Sequence, residues 1–247
     1  MEGTNISIEL DNTPTADCSN CPFYPELPRF GHCTPGDACV HVESGRQIDR
    51  FFKRNPGLAD IYLSDRFWER RAIAVRYASQ QLLYPLIDDP DEVVRRAVAY
   101  RIPVDKLECL MHDPDREVRI TVADRLPVDR LEMMVEDEDY LVRCYVARRM
   151  AAGRLFRLIN DRDSEVRKIV AKRISPSSLG LLIHDNDPEV RKIVAERIQP
   201  EQAASFAHDS DWHVRFIAAQ RATLEDLLAF LQDEDPEIVG LVKDRLS

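Results

Sequence analysis

The stretch DRDSEVRKIVAKRISPSSLGLLIH (161–184) is followed without a gap by DNDPEVRKIVAERIQPEQAASFAH (185–208), and this pair decides the architecture. The same register runs far beyond it. An aspartate returns every 24 residues at Asp65, Asp89, Asp113, Asp137, Asp161, Asp185, Asp209 and Asp233. A second aspartate stands two residues later from Asp91 to Asp235, an arginine six residues later from Arg71 to Arg215, and another twelve residues later from Arg101 to Arg245. Val94 and Val98, Val166 and Val170, and Val190 and Val194 flank the first of these arginines at a spacing of four, the period of one buried helical face. The second aspartate sits where an N-cap belongs, with Pro188 and Pro236 at the first helical position and Glu189 and Glu237 in the first turn. Pro103 and Pro127 end the helix, since a proline drives the residue before it out of helical dihedrals. Leu107 and Leu110, or Leu179 and Leu182, then recur at a spacing of three, which suits a turn or two of 3₁₀ or α helix.

Twenty-four residues hold one helix and a short partner, too few for paired full helices of about 40 residues. The pattern Asp-x-Asp-x-x-Val-Arg-x-x-Val-Ala-x-Arg-Ile/Leu-Pro resembles the leucine-rich repeat variant family over Asp65 to Ser247, roughly three quarters of the chain. That resemblance implies an all-α, right-handed superhelical solenoid of alternating α and 3₁₀ helices. Seven repeats and a truncated eighth are expected over residues 65–247, with a cysteine-rich metal-binding domain and capping helix over 1–64. The first repeat departs from the pattern, placing Arg70 and Ala74 in the valine slots, and Ala222 and Val239 depart near the other end. Terminal repeats have one neighbour and different demands.

Cys18, Cys21, Cys33 and Cys39 fall within 22 residues as Cys-x2-Cys-x11-Cys-x5-Cys. Thiolates are soft ligands, and four of them suit one Zn²⁺ or an iron–sulfur cluster. Pro22, Pro25, Pro28, Pro35 and Gly36 mark a looped segment with little apolar core, so a bound metal would contribute its folding energy. Spacing alone leaves zinc and iron–sulfur open. The junction of this cysteine pattern with these repeats is similar to the subfamily whose N-terminal domain binds a [4Fe-4S] cluster, and that likeness implies Cys18, Cys21, Cys33 and Cys39 as its four ligands. His32 and His41 flank the cysteines and suit orienting hydrogen bonds better than ligation. From Val42 to Leu63, with Ile48, Phe51 and Phe52 on one face and a turn at Asn55-Pro56-Gly57, a capping helix is expected over the first repeat.

Among 247 residues, 44% are hydrophobic and 32% charged, and the net charge of −10 opposes a polyanion unless basic residues segregate. Arg95-Arg96, Arg148-Arg149, Arg167-Lys168 and Arg191-Lys192 would form the core of such a stripe, but internal repetition points first to bonds between repeats. With few aromatics beside Trp68 and Trp212, base stacking is not expected. His112, His184 and His208 share one slot with Asp88, Glu136, Asn160 and Gln232, which asks only for a polar turn residue. Cys109 and Cys144 occupy unrelated slots and read as ordinary residues. No phosphate-cradling glycine loop, nucleophile elbow or zincin His-Glu pair is present. Residues from Met1 to Asp17 lack the features of a secretory signal, and no apolar run spans a bilayer, so a cytoplasmic protein without membrane contact is expected. The expectation is a non-enzymatic helical-repeat interaction protein with a protein partner, its metal head capping or regulating the repeats. A redox or electron-transfer protein is the alternative, and nucleic-acid binding along the arginines comes third.

Overall fold

A computed structural model describes residues 13–247, which fall into two compact units, one ending at Arg125 and the other running from Leu126 to Ser247. The reading of Met1 to Asn12 lies outside the described residues. In the first unit α1 (Glu26–Arg29) and α2 (Gly45–Arg54) precede a 3₁₀ segment, Pro56–Tyr62. Then come α3 (Trp68–Tyr77), α4 (Glu92–Arg101) and α5 (Arg116–Arg125), with 3₁₀ turns between them. The second unit holds α6 (Tyr140–Arg149), α7 (Ser164–Arg173), α8 (Pro188–Arg197), α9 (Trp212–Arg221) and α10 (Pro236–Leu246), again separated by 3₁₀ segments. The described residues contain no strand, only an isolated bridge between Thr34 and Ala38. The fold is the expected alternation of helices.

The valine columns are the core. Val94, Val98, Val166, Val170, Val190 and Val194 are fully buried, as are Leu107, Leu131, Leu155 and Leu179 from the 3₁₀ segments. Each fully buried aliphatic side chain of this size contributes about 1.5–3 kcal/mol relative to exposure. The second aspartates do cap: Asp91, Asp139, Asp163, Asp187, Asp211 and Asp235 accept a hydrogen bond from a first-turn amide. The first repeat has Phe67 at that position, and α3 starts with no side-chain cap.

The first aspartates do something else. Asp161 Oδ1 accepts the backbone N–H of Asp163, closing a tight turn ahead of the cap, while both its oxygens receive a guanidinium from the preceding repeat. Arg143 donates through Nε to Oδ2 at 2.7 Å and through Nη2 to Oδ1 at 2.8 Å, and its Nη1 reaches back to the carbonyl of Asp137. The same fork joins Arg71 to Asp89 and Arg95 to Asp113 in the first unit, and Arg167 to Asp185, Arg191 to Asp209 and Arg215 to Asp233 in the second. The second arginine column binds backbone instead. Arg173 donates to the carbonyls of Ala147 and Met150, and Arg197 to those of Ala171 and Ile174. Those carbonyls end the previous repeat's helix, where acceptors lack partners and a cation suits the helix dipole. Within each unit, one arginine column therefore fixes the start of a helix to its neighbour, and the other fixes the end.

The caps carry a pH signature. The Ser164 hydroxyl, then the Glu189 amide and the Lys168 ammonium, hold the Asp187 carboxyl below its ordinary value of 3.8 despite partial burial. A depressed folded pKa gives stability that is present above the unfolded value and lost as pH falls through the folded one. Asp187→Ala is expected to lower unfolding stability by about 1 kcal/mol at neutral pH. The difference from wild type should shrink below about pH 4, where the carboxyl is protonated in the unfolded chain. Urea unfolding at both pH values measures it.

Candidate metal centre

The four head cysteines sit in loops that are tied down from several directions. Cys18 and Cys21 share one turn, in which the Cys21 amide donates to the Cys18 carbonyl at 3.2 Å. Cys33 follows Gly31, whose φ of +72° favours glycine, and precedes a tight loop closed by paired Thr34–Ala38 backbone bonds around Gly36 at φ +79°. Cys39 leaves that loop with its amide on the Gln47 carbonyl of α2. The C-terminal end of α2 grips the same loop: Arg54 donates to Thr34 Oγ1 and to Asp37, Arg50 also pairs with Asp37, and Asn55 Nδ2 donates to the His32 carbonyl at 2.7 Å. Asn55 was expected as part of a turn. It is instead a largely buried tether, and a 3₁₀ helix begins directly after it.

Below this loop lies an aromatic chain. Phe23 is 5.7 Å from Phe51, Phe51 is 5.6 Å from Phe52, and Phe52 is 5.4 Å from Tyr62 and 6.2 Å from Tyr77 of α3. Ile48, Phe51 and Phe52 are fully buried, so the expected apolar face of the capping helix is present and covers the first repeat.

Cys33 and Cys39 are buried, Cys18 and Cys21 half-buried, and none is in a disulfide. Burial, and then the neighbouring Cys39, Cys21 and Cys18, push the Cys33 thiol up to about 11. Burial followed by Cys39 and Cys21 raises Cys18 as well. Ionised neighbours among these cysteines thus oppose the ionisation of Cys33 and Cys18. Bound iron or zinc would reverse that opposition by compensating the thiolates, so the donor set fits a cationic metal core. No three His, Cys, Asp or Glu side chains among the described residues are gathered tightly enough to hold a single ion. His32 Nδ1 lies 3.2 Å from the Arg54 carbonyl, and the His41 ring packs 6.1 Å from that of Phe23.

Two of the three buried side-chain polar atoms without a partner among the described residues belong to this region: Gln47 Oε1 and Arg70 Nε. Gln47 is fully buried and spans from α2 to the Pro14 carbonyl at 2.7 Å. Neither residue was singled out from sequence as part of the centre. Arg70 carried a signal, its departure from the valine column.

The basic pairs in the repeats are engaged inside the chain. Arg95, Arg167 and Arg191 form the forks to the next repeat. Lys168 and Lys192 bond Glu165 and Glu189, and Arg96 and Arg148 lie over the rings of Tyr100 and Tyr145. His112, His184 and His208 each line a separate cleft between successive repeats. Cys144 is buried and Cys109 exposed. No helix of the described residues is long and apolar enough to cross a membrane.

Residues 14–61 match a family profile described as the FeS4 cluster of LRV protein, and residues 116–139 match the leucine rich repeat variant profile. The uncharacterized 27.7 kDa protein in the nifB 3′ region of Rhodobacter capsulatus is 38% identical over 100 residues, a match covering 40% of this chain and 40% of that protein. A solved structure titled a leucine-rich repeat variant with a novel repetitive protein structural motif superposes with a TM-score of 0.89 at 58% identity, covering 95% of this chain and 100% of that one. At that identity over nearly the whole of both chains, this chain belongs to the leucine-rich repeat variant family, and its head is the family's iron–sulfur segment.

Proposed function

We propose that the chain is a non-enzymatic interaction protein. In this reading the repeats present a surface to a protein partner, and the head holds a [4Fe-4S] cluster on Cys18, Cys21, Cys33 and Cys39 that caps or regulates the first repeat. The observation that carries it is the arrangement of the head. The Cys33–Cys39 loop is pinned to α2, and α2 and the Pro56–Tyr62 segment pack on α3, so the cysteine-bearing loops are tied to the first repeat through one apolar interior. When bound, the cluster supplies a charged, electron-accepting group; all four thiolates then serve as ligands. The chain's own residues do the rest. Asn55 and Arg54 hold the Cys33–Cys39 loop in place, while Phe51 and Phe52 exclude water beneath it. Exposed side chains such as Tyr100, Phe156 and Leu181 are available to a partner.

Anaerobically purified protein is expected to be brown and to contain about four irons, in keeping with four thiolate ligands. Cys33→Ser should lose most of that iron and absorption while the repeats keep their helical circular dichroism. A colourless protein holding one zinc would replace the cluster by a structural zinc site. Rapid turnover of electrons by the holoprotein, with no partner recovered, would favour electron transfer over interaction.

A further inference from the structure

In six successive repeats the slot five residues after the first aspartate is valine: Val94, Val118, Val142, Val166, Val190 and Val214, each fully buried. The first repeat has Arg70 there instead. A core slot that takes a guanidinium in the one repeat facing the metal head asks for an explanation beyond packing.

Arg70 lies on α3, which packs against α2 and the Pro56–Tyr62 segment. Its side chain is only 12% exposed. Nη1 donates to Asp65 Oδ1 at 2.8 Å, and the guanidinium lies 5.6 Å from the centre of the Phe67 ring. Nε is buried with no acceptor. A buried donor left unmet costs about 1–3 kcal/mol, and an anionic neighbour would offset that cost here. The neighbours on its other side belong to the head. Asp65, which Arg70 grips, is tied by its amide to the Tyr62 carbonyl at 3.2 Å, and the Tyr62 ring packs 5.4 Å from Phe52 of the capping helix.

We propose that Arg70 is a positioning residue for the metal centre: the first repeat holds the anionic, thiolate-ligated cluster electrostatically through this buried guanidinium, with Asp65 fixing its orientation. This rests on the cluster reading above. Four thiolates give the centre a net negative charge, and a buried cation beside it stabilises the more negative, reduced state most. Arginine suits the task because its fork serves Asp65 and leaves further donors free. The cluster and the start of the repeat stack are thereby linked through one side chain, so a change in charge at the centre is felt on α3.

The test uses the full-length holoprotein, purified anaerobically, with Arg70→Val, Arg70→Gln and Arg70→Lys. Valine is the residue that six other repeats use in this slot, and glutamine is a neutral polar control should valine disturb the packing. The midpoint potential is measured by dithionite titration with mediators, and iron release is followed by bleaching under a chelator. At the potential that half-reduces the wild type, the two neutral variants are expected to be oxidised over reduced by about tenfold, which is a 59 mV shift for a one-electron couple. They should also release iron several-fold faster. Arg70→Lys should restore most of the potential by restoring the charge, an effect that simple packing would not produce. Neutral variants with wild-type potential and release rate, and intact helicity, overturn the proposal. A wild-type protein that holds no iron overturns the cluster reading itself, and that is seen before any variant is made.

Discussion

Replacing Arg143 with alanine is expected to destabilise the protein by about 3–5 kcal/mol, one of the largest effects available outside the apolar core. The pair it forms with Asp161 leaves each side chain only 4% exposed, and both bonds are short and bidentate. Forming such a pair gains little net free energy, because desolvation of both ions offsets their attraction. Removing one member is different. Asp161 would keep its charge in a pocket closed to water, and the Asp137 carbonyl would lose its donor too. Replacing both partners together, as Arg143→Met with Asp161→Leu, should recover much of the loss. It should not recover all of it, since Asp161 also accepts the Asp163 amide in the turn before α7. Arg148 is the control. It lies over the Tyr145 ring at 5.2 Å and outside the forks, so Arg148→Ala should cost about 1 kcal/mol or less. Urea unfolding of the three variants checks the ordering, and an Arg143→Ala loss below about 1 kcal/mol would contradict the buried-pair account.

The same residues show how far the sequence could be read. Repetition made the valine columns, the capping aspartates and the arginine forks legible, because a contact made in one repeat is written again 24 residues later. Val94 and Val98 are buried, Asp91 caps α4 and Arg95 reaches Asp113 as the pattern implied. The partners of the second arginine column were not legible, since Arg173 binds backbone carbonyls and every residue has one. The role of the first aspartates was not legible: Asp161 anchors Arg143 and closes a turn, while an aspartate could equally cap a helix.

In the head, the four cysteines were visible as a set because thiols at such spacing have few other uses. The side chains that hold their loops were not. Asn55, Arg54 and Gln47 act across 20 or more residues and occur once, so no period exposes them. Arg70 lay between these cases. It was recognised as a break in the column, and only the packing of α3 on α2 places it beside the capping helix.

A second large effect is expected at Phe206, where the repeat hides a compensating exchange. The two apolar positions of each 3₁₀ segment are usually leucines, as at Leu155 and Leu158 or Leu179 and Leu182, all buried. In Pro200–Phe206 the first is Ala203 and the second Phe206, both buried, with Phe206 only 1% exposed. Positions three apart in a 3₁₀ helix lie on one face, so the larger ring fills volume that the smaller alanine leaves. Phe206→Ala should therefore cost about 3–5 kcal/mol, because it opens a cavity beside a residue that cannot fill it. Phe206→Leu should still be destabilising, by about 1 kcal/mol or more, although leucine is the usual occupant of the slot. Ala203→Leu alone should overpack the same space and cost about 1–3 kcal/mol. Combined, Ala203→Leu and Phe206→Leu restore the pair found in neighbouring repeats, and the double variant should be more stable than either single one. That sign of coupling is what contact between the two positions requires. Strictly additive losses in urea unfolding would show that Ala203 and Phe206 fill separate spaces, and the volume exchange would have to be abandoned.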